Sequence, residues 1–205
     1  MNAMREQSWK FVEEHGLSRN DQLPALDEVL VKVSMAELAG RLLCMHASVA
    51  AAYGLNTALA MQWLEDEGLA SDLVPFERQF LSGDISQQFA VQNEVCSIQA
   101  LAWSCGLLDD KCLLSPLPQD FVKLLPDLRR NEPSKSFRQR LKFREKIEIV
   151  GFLDQTYCLH WALRDAQLGS KKTPLVRWLP AVEAQRHALE WLSTGGDWDK
   201  VSLDT

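Results

Sequence analysis

Ser34-Met-Ala-Glu37-Leu-Ala-Gly-Arg41-Leu-Leu-Cys-Met45-His-Ala-Ser-Val49-Ala-Ala-Ala-Tyr53-Gly54 is the stretch that decides the fold class. Ser34 followed three residues later by Glu37 is a capping box, in which each side chain accepts a hydrogen bond from the other residue's backbone N–H. Leu38, Leu42, Met45, Val49 and Tyr53 then recur at steps of three and four, which puts them on one helical face. Gly54 follows where a helix commonly ends in left-handed backbone.

The same spacing runs outward in both directions. Residues 3–15 predict a first helix ending at Gly16. The stretch 17–33, with Leu23-Pro24 and a Val/Leu-rich run, predicts a loop and a short element, and is the part most suited to a strand. Asn56 caps a helix carrying Leu59, Trp63 and Leu64 that stops at Gly68. Pro75 suits the first turn of a short helix with Phe76, Phe80 and Leu81, broken by Gly83-Asp84.

Residues 86–105 predict one long helix, and 120–128 a short amphipathic one after the connector at Pro116 and Pro118. The polar run 129–136 is the clearest loop and a candidate hinge between sub-lobes 1–128 and 137–205. A helix over 137–168 would contain Gly151, marking a bend or a close contact, and a last helix spans about 180–194. Helices joined by short connectors predict an all-α, irregular multi-helix bundle with few or no strands, a single domain over 1–205. After Gly195-Gly196 the chain runs Asp197-Trp-Asp-Lys-Val-Ser-Leu-Asp-Thr205. A large apolar Trp198 in such a tail predicts docking, with the helix carrying Asp154, Tyr157, His160 and Trp161 as its expected surface.

At 205 residues, 46% hydrophobic and 24% charged, the chain can bury a substantial core. Its formal charge of −6 argues against duplex nucleic acid as a partner and suits a protein partner with a basic surface. No apolar run is long enough for a membrane span, and the first residues lack the apolar core of a secretory signal. Five cysteines without framework spacing read as buried residues in a reducing cytoplasm.

Chemistry-bearing residues concentrate between Glu148 and Asp165. Asp154, Tyr157, Cys158, Trp161 and Asp165 fall on one helical stripe, with Ile149, Leu153, His160 and Leu163 on the next. A carboxylate in such a stripe needs a partner, and Arg41, Arg164 and Arg186 are the candidates. Asp154 and His160 could form an acid/base pair, but the spacing favours the other reading, with Asp154 a structural ion-pair or hydrogen-bond partner and His160 a satisfied core histidine, since six residues on a helix put them on different faces. The four histidines are far apart, and neither C-x-x-C nor H-E-x-x-H occurs, so no metal site is expected. No nucleophile elbow or phosphate loop is present, and nothing calls for a cofactor. Seven dispersed tryptophans read as core, with Trp178 or Trp198 as possible partner anchors.

These landmarks resemble a bacterial family designated domain of unknown function family 4272. The similarity lies in Arg5, Ser8, Gly16 and Leu23-Pro24, in Glu37-Leu-Ala-Gly-Arg41, in Phe76-Glu-Arg-Gln-Phe-Leu81, and in Glu94 with 100–107. It is strongest in Glu148-Ile149, Asp154, Tyr157, Leu159-His-Trp-Ala162, Arg186-His-Ala-Leu-Glu-Trp-Leu192 and the tail from Asp197. The resemblance covers nearly the whole chain and implies a helical, cytoplasmic, single-domain protein of undetermined role. Val33 and Cys158 stand where the family pattern has Arg, Gly151 where an acid is common and Gln185 where Glu is usual. If those charges form a polar site in the family, part of it is lost here.

Three functions compete. The first is a protein-binding module, including an immunity-type partner that masks a basic protein. The second is an enzyme with a polar pocket between the helix 137–168 and the C-terminal segment. Asp154, Tyr157, His160 and Trp161 would line that pocket beside Arg41 and Trp191, with Arg186 as an anion clamp and Asp197 and Asp199 holding a divalent ion around Trp198. It requires these side chains to converge on one concavity. The third is a purely structural tail that completes the fold.

Overall fold

The computed structural model describes residues 3–24, 26, 31–169 and 173–203. The helices are α1 (Ala3–Glu14), α2 (Met35–Ala52), α3 (Thr57–Asp66), α4 (Pro75–Leu81), α5 (Gln88–Asn93), α6 (Val95–Ser104), α7 (Lys135–Arg140), α8 (Lys146–Leu168) and α9 (Leu179–Thr194). Short 3-10 turns link several of them, and no strand occurs among the described residues. The fold is all-α.

Helix α2 starts as its sequence requires. Ser34 Oγ accepts from Glu37 N at 3.2 Å, and Glu37 Oε2 accepts from Ser34 N at 2.7 Å. Unlike a surface helix, α2 is buried on almost every face. It is enclosed by α3, α4, α5 and α6, while α9 lies across α6 and α8, and α1 packs on α8. The larger core joins Leu38, Leu42 and Met45 of α2 to Trp63, Leu101, Phe152 and Leu189. A second cluster under α1 gathers Trp9, Val12, Leu159, Leu163 and Val182. The larger core therefore draws on both sides of the 129–136 connector. That connector is pinned: Ser134 N donates to Glu67 Oε1 at 3.1 Å, and Trp63 Nε1 donates to Glu132 O at 2.9 Å.

The helix expected over 137–168 is two helices, α7 and α8, separated by the extended segment 141–145. Lys142 N donates to Cys105 O at 3.2 Å, Arg144 N to Ser104 O at 2.9 Å, and Arg144 Nε to Trp103 O at 2.9 Å. These bonds satisfy the carbonyls that α6 leaves open at its end, so a distant helix terminus breaks this one. Gly151 sits inside α8 facing Met4, with ordinary contact space. Likewise 86–105 divides at Glu94 into α5 and α6, and 120–128 forms only a 3-10 turn at Phe121–Leu124.

In the stretch expected to suit a strand, the described residues are loop, while 25 and 27–30 lie outside the described residues. Lys32 N and Val33 N instead donate to Leu192 O, at 2.9 and 3.4 Å, at the end of α9. The tail docks, but on α9 and α2 and not on the middle of α8. Gly195 and Gly196, at φ +69 and +78, make the left-handed turn that directs it there. Trp191 Nε1 fixes that turn by donating to Gly196 O at 3.0 Å.

Candidate functional site

Arg41 projects from α2 to the floor of a groove of about 630 Å³, whose wall and rim include Glu37, Asp72, Trp191, Asp197 and Asp199. The buried Arg41 guanidinium donates through Nη2 to Oε1 of Glu77, a fully buried carboxylate on α4. The other Glu77 oxygen accepts from Val74 N at 3.1 Å and so caps α4. Trp198 covers Arg41, its ring centre 5.1 Å from the guanidinium carbon. Its edges meet His187 at 4.6 Å and Trp191 at 5.3 Å in T-shaped contacts.

This polar cluster is incompletely matched. Arg41 Nε and Nη1 and Glu94 Oε2 are buried with no hydrogen-bond partner. Burial pushes the Glu94 carboxyl up to about 7; Arg41 opposes the shift, and Glu77 and Asp199 add to it. Burial likewise lowers His187, helped by the charge of Arg41. Buried ions cost several kcal/mol unless well matched, which makes the cluster under this groove a candidate for a functional role.

Asp154 lies elsewhere. None of the arginines expected to pair with it does so: Arg41 is taken by Glu77, Arg186 faces His160, and exposed Arg164 reaches Gln167. The partner is Arg5 of α1, which donates through Nε and Nη2 at 2.6–3.1 Å, and Ser8 Oγ adds a bond at 2.6 Å. Arg5 Nη1 and Nη2 also donate to the carbonyls of Leu23 and Pro24, so one guanidinium ties α1, α8 and the following loop together. Tyr157 is stacked between Arg5 and Arg186, whose guanidinium carbons lie 5.9 and 4.5 Å from its ring centre.

Arg186 donates from Nη1 to His160 Nδ1 at 2.9 Å, to Leu203 O at 3.3 Å, and from Nε to Glu190 at 3.3 Å. Burial, then Arg186 and Arg164, push His160 down to about 4, so the imidazole is neutral at neutral pH. With Nδ1 accepting, the proton is on Nε2, which is buried without a partner.

Of the residues singled out in the sequence, Arg41, Trp191, Asp197, Trp198 and Asp199 therefore meet at one groove. Asp154, Tyr157, His160 and Arg186 form a separate packed chain, and half-buried Trp161 belongs to neither. The pocket is walled by α2, the loop into α4 and the tail, not by α8. Asp197 is paired with Lys200, and among the described residues no three His, Cys, Asp or Glu side chains are arranged to hold a metal ion. A divalent ion on Asp197 and Asp199 thus lacks further ligands. Sequence reasoning assigned no role to Arg5, Ser8, Glu77, Glu94 or His187, although all five lie in the segments that carried the family resemblance. Of the departures from the family pattern, Val33, Cys158 and Gln185 are buried, and Gln185 Oε1 lacks a partner.

The fold and the groove define an all-helical protein with a tail-covered, carboxylate-rimmed recess. The chain belongs to the family described as domain of unknown function (DUF4272), whose model matches residues 4–201. No curated protein and no solved structure matches it. Among the described residues no helix is long and apolar enough to cross a membrane.

Proposed function

We propose that this protein is a binding module and that the groove under Trp198 takes a basic segment of a protein partner. The observation that carries this is the groove's lining: four carboxylates, Glu37, Asp72, Asp197 and Asp199, surround apolar walls from Leu69, Leu73 and Trp191. Arg41 is paired with Glu77 and Lys200 with Asp197, while Arg138, bonded to Ser134, is a further cation at the groove; Asp72 and Asp199 are in no ion pair among the described residues. An incoming Lys or Arg would lay its aliphatic stem on the apolar wall and its charge against Asp72 and Asp199. The net charge of −6 favours approach by a basic surface and makes association salt-sensitive. An immunity-type complex with a basic protein is the narrower form of this proposal. The enzymatic alternative has less support, because Asp154 and His160 are held in separate contacts by Arg5 and Arg186.

The test is titration with an alternating Arg-Gly peptide, followed by tryptophan fluorescence at low and high salt. Asp72→Asn/Asp199→Asn should weaken binding about tenfold, as expected for lost close charge pairs. Glu13→Gln/Glu14→Gln, which alters net charge equally on the exposed face of α1, should change it little. Equal weakening by both, or no binding at low salt, overturns the proposal.

A further inference from the structure

We infer that Lys111 is a reactive amine that takes a small aldehyde or ketone as an imine, in a recess between α1, α8 and the loop after α6. This site is separate from the groove and does not depend on the function proposed for it.

The backbone presenting Lys111 is constrained on both sides. Gln99, buried in α6, donates its side-chain amide to Lys111 O at 3.4 Å and Cys112 O at 3.1 Å. Cys112 and Leu114 then adopt left-handed backbone at φ 49 and 56, a conformation that side-chain-bearing residues, leucine above all, rarely occupy. Such strain persists only where surrounding contacts hold it.

The Lys111 ammonium lies 5.4 Å from the Trp103 ring centre and 5.3 Å from that of Phe152, and donates to Gln155 Oε1 at 3.1 Å. Its hydrogen-bond acceptor is thus a neutral amide, and no ion pair to it occurs among the described residues. Arg144 brings a second cation onto Trp103, at 4.6 Å. Two cavities of about 560 and 530 Å³ meet here, both lined by Trp103, Lys111, Glu148 and Gln155. Lys111 is partly buried and lines both cavities, which give a small molecule a way to it. Burial lowers the ammonium's pKa, Glu148 opposes and Arg144 adds to the lowering. A desolvated lysine beside a second cation is the arrangement that yields a nucleophilic amine.

The step balances without any oxidant. The neutral amine's lone pair adds to the carbonyl carbon, and the carbonyl π pair moves to oxygen, which takes a proton. The resulting carbinolamine loses water to leave the C=N bond. The proton that oxygen takes comes from the attacking nitrogen, and Glu148, which lines both cavities and whose carboxylate lies 3.8 Å from Arg144, is the carboxylate available to carry it.

The experiment treats the folded full-length chain with pyridoxal 5′-phosphate, reduces with borohydride and maps the adducts by mass, in parallel with phosphate-free pyridoxal. Lys111 should be modified about tenfold faster near neutral pH than exposed Lys10 and Lys146, and should reach half-maximal labelling at lower pH. Lys111→Arg should remove that adduct alone. If this variant does not fold, the wild-type rate comparison decides by itself. Labelling of Lys111 no faster than of the exposed lysines overturns the proposal. So does selectivity confined to the phosphate-bearing probe, which would reduce the site to anion attraction by Arg144.

Discussion

Arg5 and Asp154 meet across 149 positions of sequence, with Arg5 Nε donating to both carboxylate oxygens at 2.9 and 3.1 Å and Nη2 donating to one of them at 2.6 Å. Both side chains are almost wholly buried. Asp154→Ala leaves a buried guanidinium without its counter-ion and should cost roughly 3–5 kcal/mol. Urea unfolding measures this. A loss under about 1 kcal/mol would show that the pair does not hold α1 to α8.

Trp198 is 5% exposed and fills the space between Arg41, His187 and Trp191. Trp198→Ala should destabilise by about 3–5 kcal/mol, as a large-to-small change in a core does. Deleting 196–205 should lower the melting temperature by roughly 6–20 °C, the shift that such a loss gives in a domain of this size. Unchanged melting would mean that the tail is held for recognition and contributes nothing to folding.

Glu94 and His160 pull the pH dependence of stability in opposite directions. The Glu94 pKa is raised on folding to about 7, so its contribution is full below about 4.5, falls as pH rises and is gone above about 7. The His160 pKa is lowered to about 4, so its contribution is full above about 6.5 and is lost as pH falls through about 4. Wild-type stability should therefore vary less than either group alone would dictate. Glu94→Gln should gain on the wild type by about 2–3 kcal/mol between about pH 5 and pH 8. His160→Gln should gain by a similar amount between about pH 7 and pH 4. Denaturant midpoints across pH test both, and parallel profiles would refute the assignment.

Cys44, Cys105 and Cys158 are buried, and burial pushes each thiol up to about 12. Thiolate is the reactive form, so none should react quickly with a disulfide reagent in the native protein. All five cysteines should react once the chain is unfolded in urea. Rapid native labelling of any of these three would contradict the packing around it.

Local signals were legible wherever the determining residues are close in sequence. Ser34 with Glu37, Asn56, and Pro75 each start a helix through groups within a few positions. Where a distant partner decides, the pattern misleads. Leu141 and Phe143 continue the apolar spacing into α8, yet the carbonyls of Ser104 and Cys105 draw residues 142 and 144 out of the helix. The candidate site shows the same division. Trp198, Asp199 and Arg41 stood out by residue type, and they do share a groove. Glu77 and Glu94 stood out only as part of the family resemblance, with no partner assigned, because nothing within their own segments shows that Arg41 lies beside them. Arg5 had no partner assigned for the same reason.

The cover that Trp198 places over Arg41 also imposes a timetable on synthesis. Arg41 and its Glu77 partner emerge from the ribosome early, whereas residue 198 arrives 157 positions after Arg41. At about 5–20 residues per second, the charge pair, complete only once Glu77 is made, waits roughly 6–24 s for its lid, which lies 121 positions further on. During that interval the nascent chain carries an open, charged recess bordered by apolar walls. The burial of this pair is thus complete only once residue 198 is in place, long after α2 and α4 have been made.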